Sequence, residues 1–294
     1  MRRNLIFFIV LSLVFIGCGT SEKKNYSEVR NIGNITLDSG AFIKKTHRID
    51  IVCFIYHRFG DDRYPSTNTS VSLFRQQLQY LKDNHFNVIT FSEAIKFIQV
   101  DQNDVEETAV ITIDDAFKSF QKNALPLLKE FGYKDTIFVN TETIGAGDYM
   151  EWDDLGNILK EGIEIGNHTH SHAYFLNHKD NKVNFFREDI NISKKLLHEK
   201  LGIDPEIFAY PYGEFDDELR NEIANSGFKA AAGQFAGVLC ELSDIYAIPR
   251  FPVNNEFGSI NRFIEKVNAK ALRITDAKST TNFTNKNPPI LEII

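Results

Sequence analysis

The stretch EIGNHTHSH, Glu164 to His172, places three of the chain's eight histidines within five positions. His168 and His172 stand four apart, close enough on a helical turn to hold one ion. Upstream, ITIDDAF sets Asp114 and Asp115 side by side after an apolar run. Neighbouring carboxylates repel each other, and a cation offsets that cost. One carboxylate and two imidazoles make the three-ligand set of a catalytic divalent-metal site, with a position left for water. Plainer explanations compete. A loop rich in His, Asn, Ser and Thr suits a polar surface, a tag-like cluster is another possibility, and one Asp would serve as N-cap of the helix expected from Phe117. A cap accounts for only one of the two carboxylates. Because they are adjacent, the pair is expected to project to different sides of the strand end.

From about residue 48, short apolar runs alternate with amphipathic segments of helical length. DIVCFIYH, FNVITF, TAVITIDD, DTIFVN, IEIGNH, EIFAYPYG, FKAAA and YAIPRFPV read as strands by their β-branched and aromatic content. Helices are expected between them. Ser92 is the expected N-cap of EAIKFI, Pro126 a kink or boundary within Phe117–Phe131, and Gly202 the stop after Val183–Leu201. Repeated βα units predict a parallel sheet with helices outside, closed as a barrel or open and doubly wound. In either case functional residues gather beyond the carboxyl ends of the strands. His57, Asp114-Asp115, His168 and Tyr210-Pro211-Tyr212-Gly213 each end a separate predicted strand, and so converge on one rim.

The chain has 294 residues, room for one large α/β domain or two small ones. Its net charge of −7, without a long basic run, argues against nucleic acid as a partner. Arg2 and Arg3 precede an apolar stretch from Leu5 to Ile16, the pattern of an export signal. Gly17-Cys18-Gly19 then resembles a bacterial lipobox, although Phe15 stands where Leu is usual. The expectation is an exported lipoprotein of the cell envelope, anchored to the membrane through its N-terminus: a signal at 1–18, a tether at 19–47 and a main domain at 48–268. Residues 269–294 form a tail or final strand. Cys53 and Cys240 form no CxxC pair, and Cys53 reads as a buried apolar thiol.

TIDD, HTHSH and AYPYG, in that order and each behind a strand, resemble the motifs of the polysaccharide deacetylases of the NodB-homology type, carbohydrate esterase family 4. FIYHRF, FRQQLQYL and MEWDDL further resemble the branch that deacetylates poly-β-1,6-N-acetylglucosamine. The resemblance spans about residues 48 to 268 and implies an irregular (β/α)7-type barrel forming a single catalytic domain. It implies that Asp115, His168 and His172 hold a divalent metal, zinc, with Asp114 as general base and His170 a bystander. It implies that the Tyr212 backbone N–H donates to the oxyanion. His57 would serve as the acid, because no His follows His198. A metal beside His57 would lower its pKa, and Asp153 or Asp154 would restore it. Trp152 is a candidate either for stacking on a sugar or for the core.

The chain also departs from the family pattern. Ala116 replaces the usual Gly after the Asp pair, a mild change if its φ is negative. Ala209 stands where many members have the Arg that orients the base, and Arg250 is a candidate substitute from another strand. The reading is therefore a metal-dependent hydrolase removing N-acetyl groups from an extracytoplasmic amino-sugar polymer, with an N-acetylated polysaccharide as partner. The alternatives are a surface polysaccharide-binding lipoprotein with a weakly active metal pocket, and a deacetylase acting on peptidoglycan or xylan.

Overall fold

The IVCFIY segment forms β1 (Ile51–Tyr56), whose six residues are all buried, as a parallel strand covered on both faces requires. The computed structural model describes residues 49–99, 107–178 and 180–271. The expected signal, the tether and the tail beyond residue 271 lie outside the described residues. Among the described residues, no helix is long and apolar enough to cross a membrane.

Two short strands, β2 (Arg58–Phe59) and β3 (Asn68–Thr69), pair with each other beyond β1. The alternation then runs through α1 (Val71–Asp83), β4 (Asn87–Ile89), α2 (Phe91–Gln99) and β5 (Thr108–Asp114). It continues through α3 (Leu125–Phe131), β6 (Thr136–Val139), α4 (Trp152–Lys160) and β7 (Glu164–Asn167). Next come α5 (Lys182–Leu201), β8 (Ile207–Ala209), α6 (Asp217–Asn225), β9 (Ala230–Ala232), β10 (Phe251–Pro252) and α7 (Ile260–Val267). The main sheet has the order β10-β1-β5-β6-β7-β8-β9, with β4 also paired to β5. Its ladders are parallel. The segment leading into β10 returns along β9, where Ile248 N–H donates to Ala231 O and Gly233 N–H to Ile248 O, each at 2.9 Å. The sheet thus curls into the irregular barrel that the βα alternation implied.

Alternate residues of β1 serve two cores, as the two-residue period of a strand dictates. Val52, Phe54 and Tyr56 pack outward with the helices. Ile51 and Cys53 point inward, among Val110, Phe138, Ala209, Ala230, Ala232 and Ile248. Phe91, Ala94 and Ile95 of α2 join this inner cluster, and the Phe91 ring meets Phe138 edge-on at 5.5 Å. Burial pushes the Cys53 thiol up to about 12, so it behaves as the expected apolar side chain.

One local expectation is corrected and a second is refined. α2 is capped by Thr90 rather than Ser92. Glu93 N–H donates to Thr90 Oγ1 at 3.2 Å and Thr90 N–H donates back to the Glu93 carboxylate at 2.9 Å, a reciprocal capping box. The helix expected from Phe117 begins at Lys118, widens to a π-helical turn over Phe120–Ala124 and continues as α3, with Pro126 in its first turn. Proline has no N–H to donate, and the wider turn ahead of it is closed by Leu125 N–H on Phe120 O.

Candidate active site

Val110, Thr112 and Asp114 lie on alternate positions of β5, and Val110 belongs to the inner cluster, so Asp114 ends the strand facing the barrel interior. There it meets Arg250, which is fully buried. Nη1 donates to Asp114 Oδ1 at 2.7 Å and Nη2 to Oδ2 at 2.8 Å, a bidentate pair. The remaining donors reach Thr112 Oγ1 at 3.1 Å and Gly233 O at 2.8 Å. Ala209, small and wholly buried on β8, leaves the orientation of Asp114 to an arginine arriving from beside β10. Burial alone raises the Asp114 pKa, but Arg250 foremost, with His168, outweighs it and lowers the value to about 2.

Asp115 turns back on itself. Its φ of 75° brings its carboxylate to the same side as that of Asp114, so the two do not diverge as a regular strand would make them. Asp115 Oδ1 stands 3.7 Å from His168 Nε2 and 3.5 Å from His172 Nε2, and Asp114 Oδ2 stands 3.6 Å from His168 Nε2. Ligands about 2.1 Å from a tetrahedral ion are about 3.4 Å apart, so the first two separations suit a shared ion. One ligand atom each of Asp115, His168 and His172 lie within 4.8 Å of one another. Asp115 Oδ1 is buried without a hydrogen-bond partner. A buried carboxylate oxygen in that state is costly unless a cation serves it, and the donor set therefore fits a divalent metal. His168 Nδ1 lies 2.7 Å from Ala209 O, and the tautomer that donates there leaves Nε2 bare for the cluster.

Burial, against the opposing pull of Asp114, lowers His168 to about 3 and also lowers His172, so both imidazoles are neutral near pH 7. Asp115 moves the other way, up to about 6, through burial and then the Asp114 charge, with His57 opposing. A raised carboxyl is fully favourable only below its unfolded value near 3.8 and costs stability as pH rises through 6. A bound cation would offset that cost.

Among the described residues, six non-glycine positions have positive φ, and five of them belong to the three motif loops: Asp115, Ala116, Thr169, His172 and Tyr212. Such strain persists only where the surroundings impose it, and it clusters at functional sites. Ala116 has φ 57°, so the condition under which it would be a mild substitution for glycine is not met. The conformation costs roughly 1–2 kcal/mol there, partly offset by the methyl group buried in the outer core. The histidine loop is held by Asp189 of α5. His170 N–H donates to Asp189 Oδ1 at 2.6 Å, and Ser171 N–H reaches both carboxylate oxygens at 3.1 and 3.2 Å. His170 itself turns away to Thr141 Oγ1, 2.9 Å from Nδ1, consistent with its expected bystander place. Sequence reasoning missed Asp189. The available signal was a carboxylate on the inward helical face shared by Phe186, Ile190, Ser193 and Leu197.

His57 stands half-buried at the end of β1, where its charge acts on both Asp114 and Asp115. Its neighbour Arg58 is clamped between the rings of Phe117 at 3.5 Å and Tyr64 at 3.9 Å, which pins this segment to the loop after Asp115. The expected carboxylate partners of His57 are corrected. Asp154 Oδ2 accepts from Glu151 N–H in a capping box and Oδ1 accepts from Gln121, while Asp153 is exposed. Helix-start carboxylates are consumed by the unpaired N–H groups there. Trp152 packs against the outer core. Tyr212, with φ 59°, forms the mouth of the site beside His172, their rings 4.5 Å apart.

Residues 101–231 match the polysaccharide deacetylase family. That stretch is similar to a polysaccharide deacetylase domain. Over 214 residues it is 25% identical to the poly-beta-1,6-N-acetyl-D-glucosamine N-deacetylase of Staphylococcus aureus (strain MSSA476), covering 69% of this chain and 73% of that one. YxkH of Bacillus subtilis (strain 168) is 24% identical over 217 residues, covering 74% and 76%. Among solved structures, the fold is similar to the Streptococcus pyogenes deacetylase PplD, with a TM-score of 0.68 and 19% identity, over 76% of this chain and all of that one. It is also similar to IcaB of Ammonifex degensii, with a TM-score of 0.63 and 23% identity, over 75% and 97%.

Two outcomes are expected of this site. Zinc affinity, measured by competition with a chelating dye, should weaken about tenfold per pH unit below about 6, where Asp115 takes up a proton. A decline that begins only near pH 3 would place the competing proton on His168. Asp189→Ala should weaken zinc binding about 10- to 100-fold, with Asp189→Asn closer to the parent because it retains an acceptor. Equal affinities for all three proteins would mean that Asp189 does not support the ligand loop.

Proposed function

We propose that the protein is a metal-dependent N-deacetylase acting on an extracytoplasmic amino-sugar polymer, with poly-β-1,6-N-acetylglucosamine as the preferred substrate. The observation that carries this reading is the unpartnered Asp115 Oδ1, facing His168 and His172 beside a base oriented by Arg250. The polymer assignment draws on the likeness to the staphylococcal enzyme and on the FIYHRF motif. The leader pattern through Cys18 supports an exported, lipid-anchored protein, with the deacetylase domain spanning 48–268.

In this mechanism Asp115, His168 and His172 would hold a zinc ion, which would supply Lewis acidity toward the acetyl carbonyl and acidify water. Asp114 accepts a proton from the attacking water as its oxygen bonds to the carbonyl carbon. A carboxylate held near 2 is a weak base, but the bidentate contact leaves each oxygen a further lone pair and fixes its direction. The Tyr212 N–H donates to the oxyanion, a contribution of roughly 2.7–4 kcal/mol for one such donor. His57 then gives a proton to the amine nitrogen as the carbon–nitrogen bond breaks, releasing acetate and a free amino sugar. The bidentate contact from Arg250, in the segment before β10, supplies the orienting arginine that Ala209 does not, which weighs against a binding-only protein.

Zinc-loaded protein should release acetate from β-1,6-linked N-acetylglucosamine oligomers, faster than from β-1,4-linked ones, and a chelator should abolish the activity. Asp114→Asn should retain metal while its rate falls about 10²–10⁴-fold. A fully active Asp114→Asn variant would remove Asp114 as the base. His57→Ala should lose most amide hydrolysis yet keep that of an activated acetate ester, whose leaving group needs no proton. Equal losses on both substrates would exclude His57 as the acid.

A further inference from the structure

Tyr174 lies just beyond the histidine loop and takes no part in the motifs from which the deacetylase reading was drawn. Its ring stacks on that of Tyr212, with centroids 3.6 Å apart and an angle of 8° between planes. On its other contact Tyr212 meets the ligand His172, at 4.5 Å and 64°. The three rings form a column running from the metal cluster to the mouth of the site. Both tyrosines are substantially exposed, at 48% and 39%, so the stack is not a by-product of core packing.

The backbone under this column is strained. Tyr212 has φ 59° and Gly213 has φ 69°, two successive left-handed residues. Gly213 has no room for a side chain, because an added Cβ would lie 2.3 Å from the backbone nitrogen of Gln234. The loop is thus wedged on one side by Gln234, while Tyr212, a bulky residue in a conformation that suits glycine, is held by its ring. Gly213 N–H donates to Tyr210 O and Glu214 N–H to Pro211 O. Among the described residues, the Tyr212 N–H has no acceptor. A loop whose amide makes no bond of its own depends on side-chain packing to keep that amide aimed.

We propose that Tyr174 is a positioning residue: its ring clamps Tyr212 against His172 and so keeps the strained Tyr212 N–H directed at the reacting carbonyl. This rests on the reading of that N–H as the oxyanion donor. A clamp of this kind acts through geometry and not through substrate contact, so it should appear in kcat and leave KM nearly unchanged.

The test compares zinc-loaded Tyr174→Ala and Tyr174→Phe with the parent. Tyr174→Ala should lower kcat for N-acetylglucosamine oligomers about 10- to 100-fold, less than the ~10²–10³ of a wholly lost donor, with KM changed less than about twofold and zinc content unchanged. Tyr174→Phe, which keeps the stacking ring, should restore kcat. Nitrogen-15 relaxation of the Tyr212 amide provides a readout independent of turnover: the amide should gain fast motion in Tyr174→Ala and not in Tyr174→Phe. An equally rigid amide in all three proteins overturns the proposal, whether or not the chain is active. A rise in KM at constant kcat also overturns it, by making Tyr174 a sugar platform. A parent protein inactive on all N-acetylated oligomers would sink the deacetylase reading, and the relaxation comparison would still decide whether Tyr174 holds the loop.

Discussion

The ion pair between Arg250 and Asp114 organises the upper half of the barrel. Both groups are almost completely excluded from water, so neither can be retained without the other. Removing one partner of such a pair typically costs about 3–5 kcal/mol, because the other is left as an uncompensated buried charge. The arginine also bonds Thr112 on β5 and Gly233 just after β9, which ties strands from opposite parts of the sheet. Near pH 7 His168 is neutral, so the guanidinium is the main positive charge that keeps Asp114 ionised. That contribution is present above the unfolded carboxyl value near 3.8 and is lost as pH falls through about 2.

Around this rigid pair the chain accumulates strain in a directed way. The left-handed turn at Asp115 is what gives two adjacent carboxylates two different surroundings. One carboxylate is saturated by an arginine, and the other is left with a bare oxygen facing two imidazoles. The same backbone region recurs at Thr169, His172 and Tyr212, and each instance is held by a specific neighbour. Asp189 holds the histidine loop through three contacts with backbone N–H groups, and the ring column holds Tyr212. The ligand cluster and its surroundings are thus maintained by tertiary contacts from α5, β8 and the segment before β10 and not by local preference.

Burial sets opposite protonation tendencies in similar places. It disfavours charge on every group, which lowers His168 and His172 and raises Asp115. For the imidazoles this exposes lone pairs suited to a metal. For the carboxyl it stores a cost that a cation removes. One desolvated pocket therefore brings together three side chains, of two chemical types, that could hold a metal ion.

By itself the sequence determined the alternation of strands and helices, the rim on which the motifs converge and the three residues that gather there as a candidate metal cluster. These are carried by period, spacing and order along the chain, all of which are local. The route by which an arginine reaches Asp114 was decided only in three dimensions, since Ala209 on β8 and Arg250 in the segment before β10 are 41 positions apart. The same is true of Asp189, which looks like one more helical residue until the loop closes over it. Local rules also misplaced Asp154, whose carboxylate accepts from Glu151 N–H and the Gln121 side chain, and left the φ of Ala116 open. Backbone conformation at a strained loop and the partner of a buried charge both depend on which distant segments pack there, and that information is distributed across the whole fold.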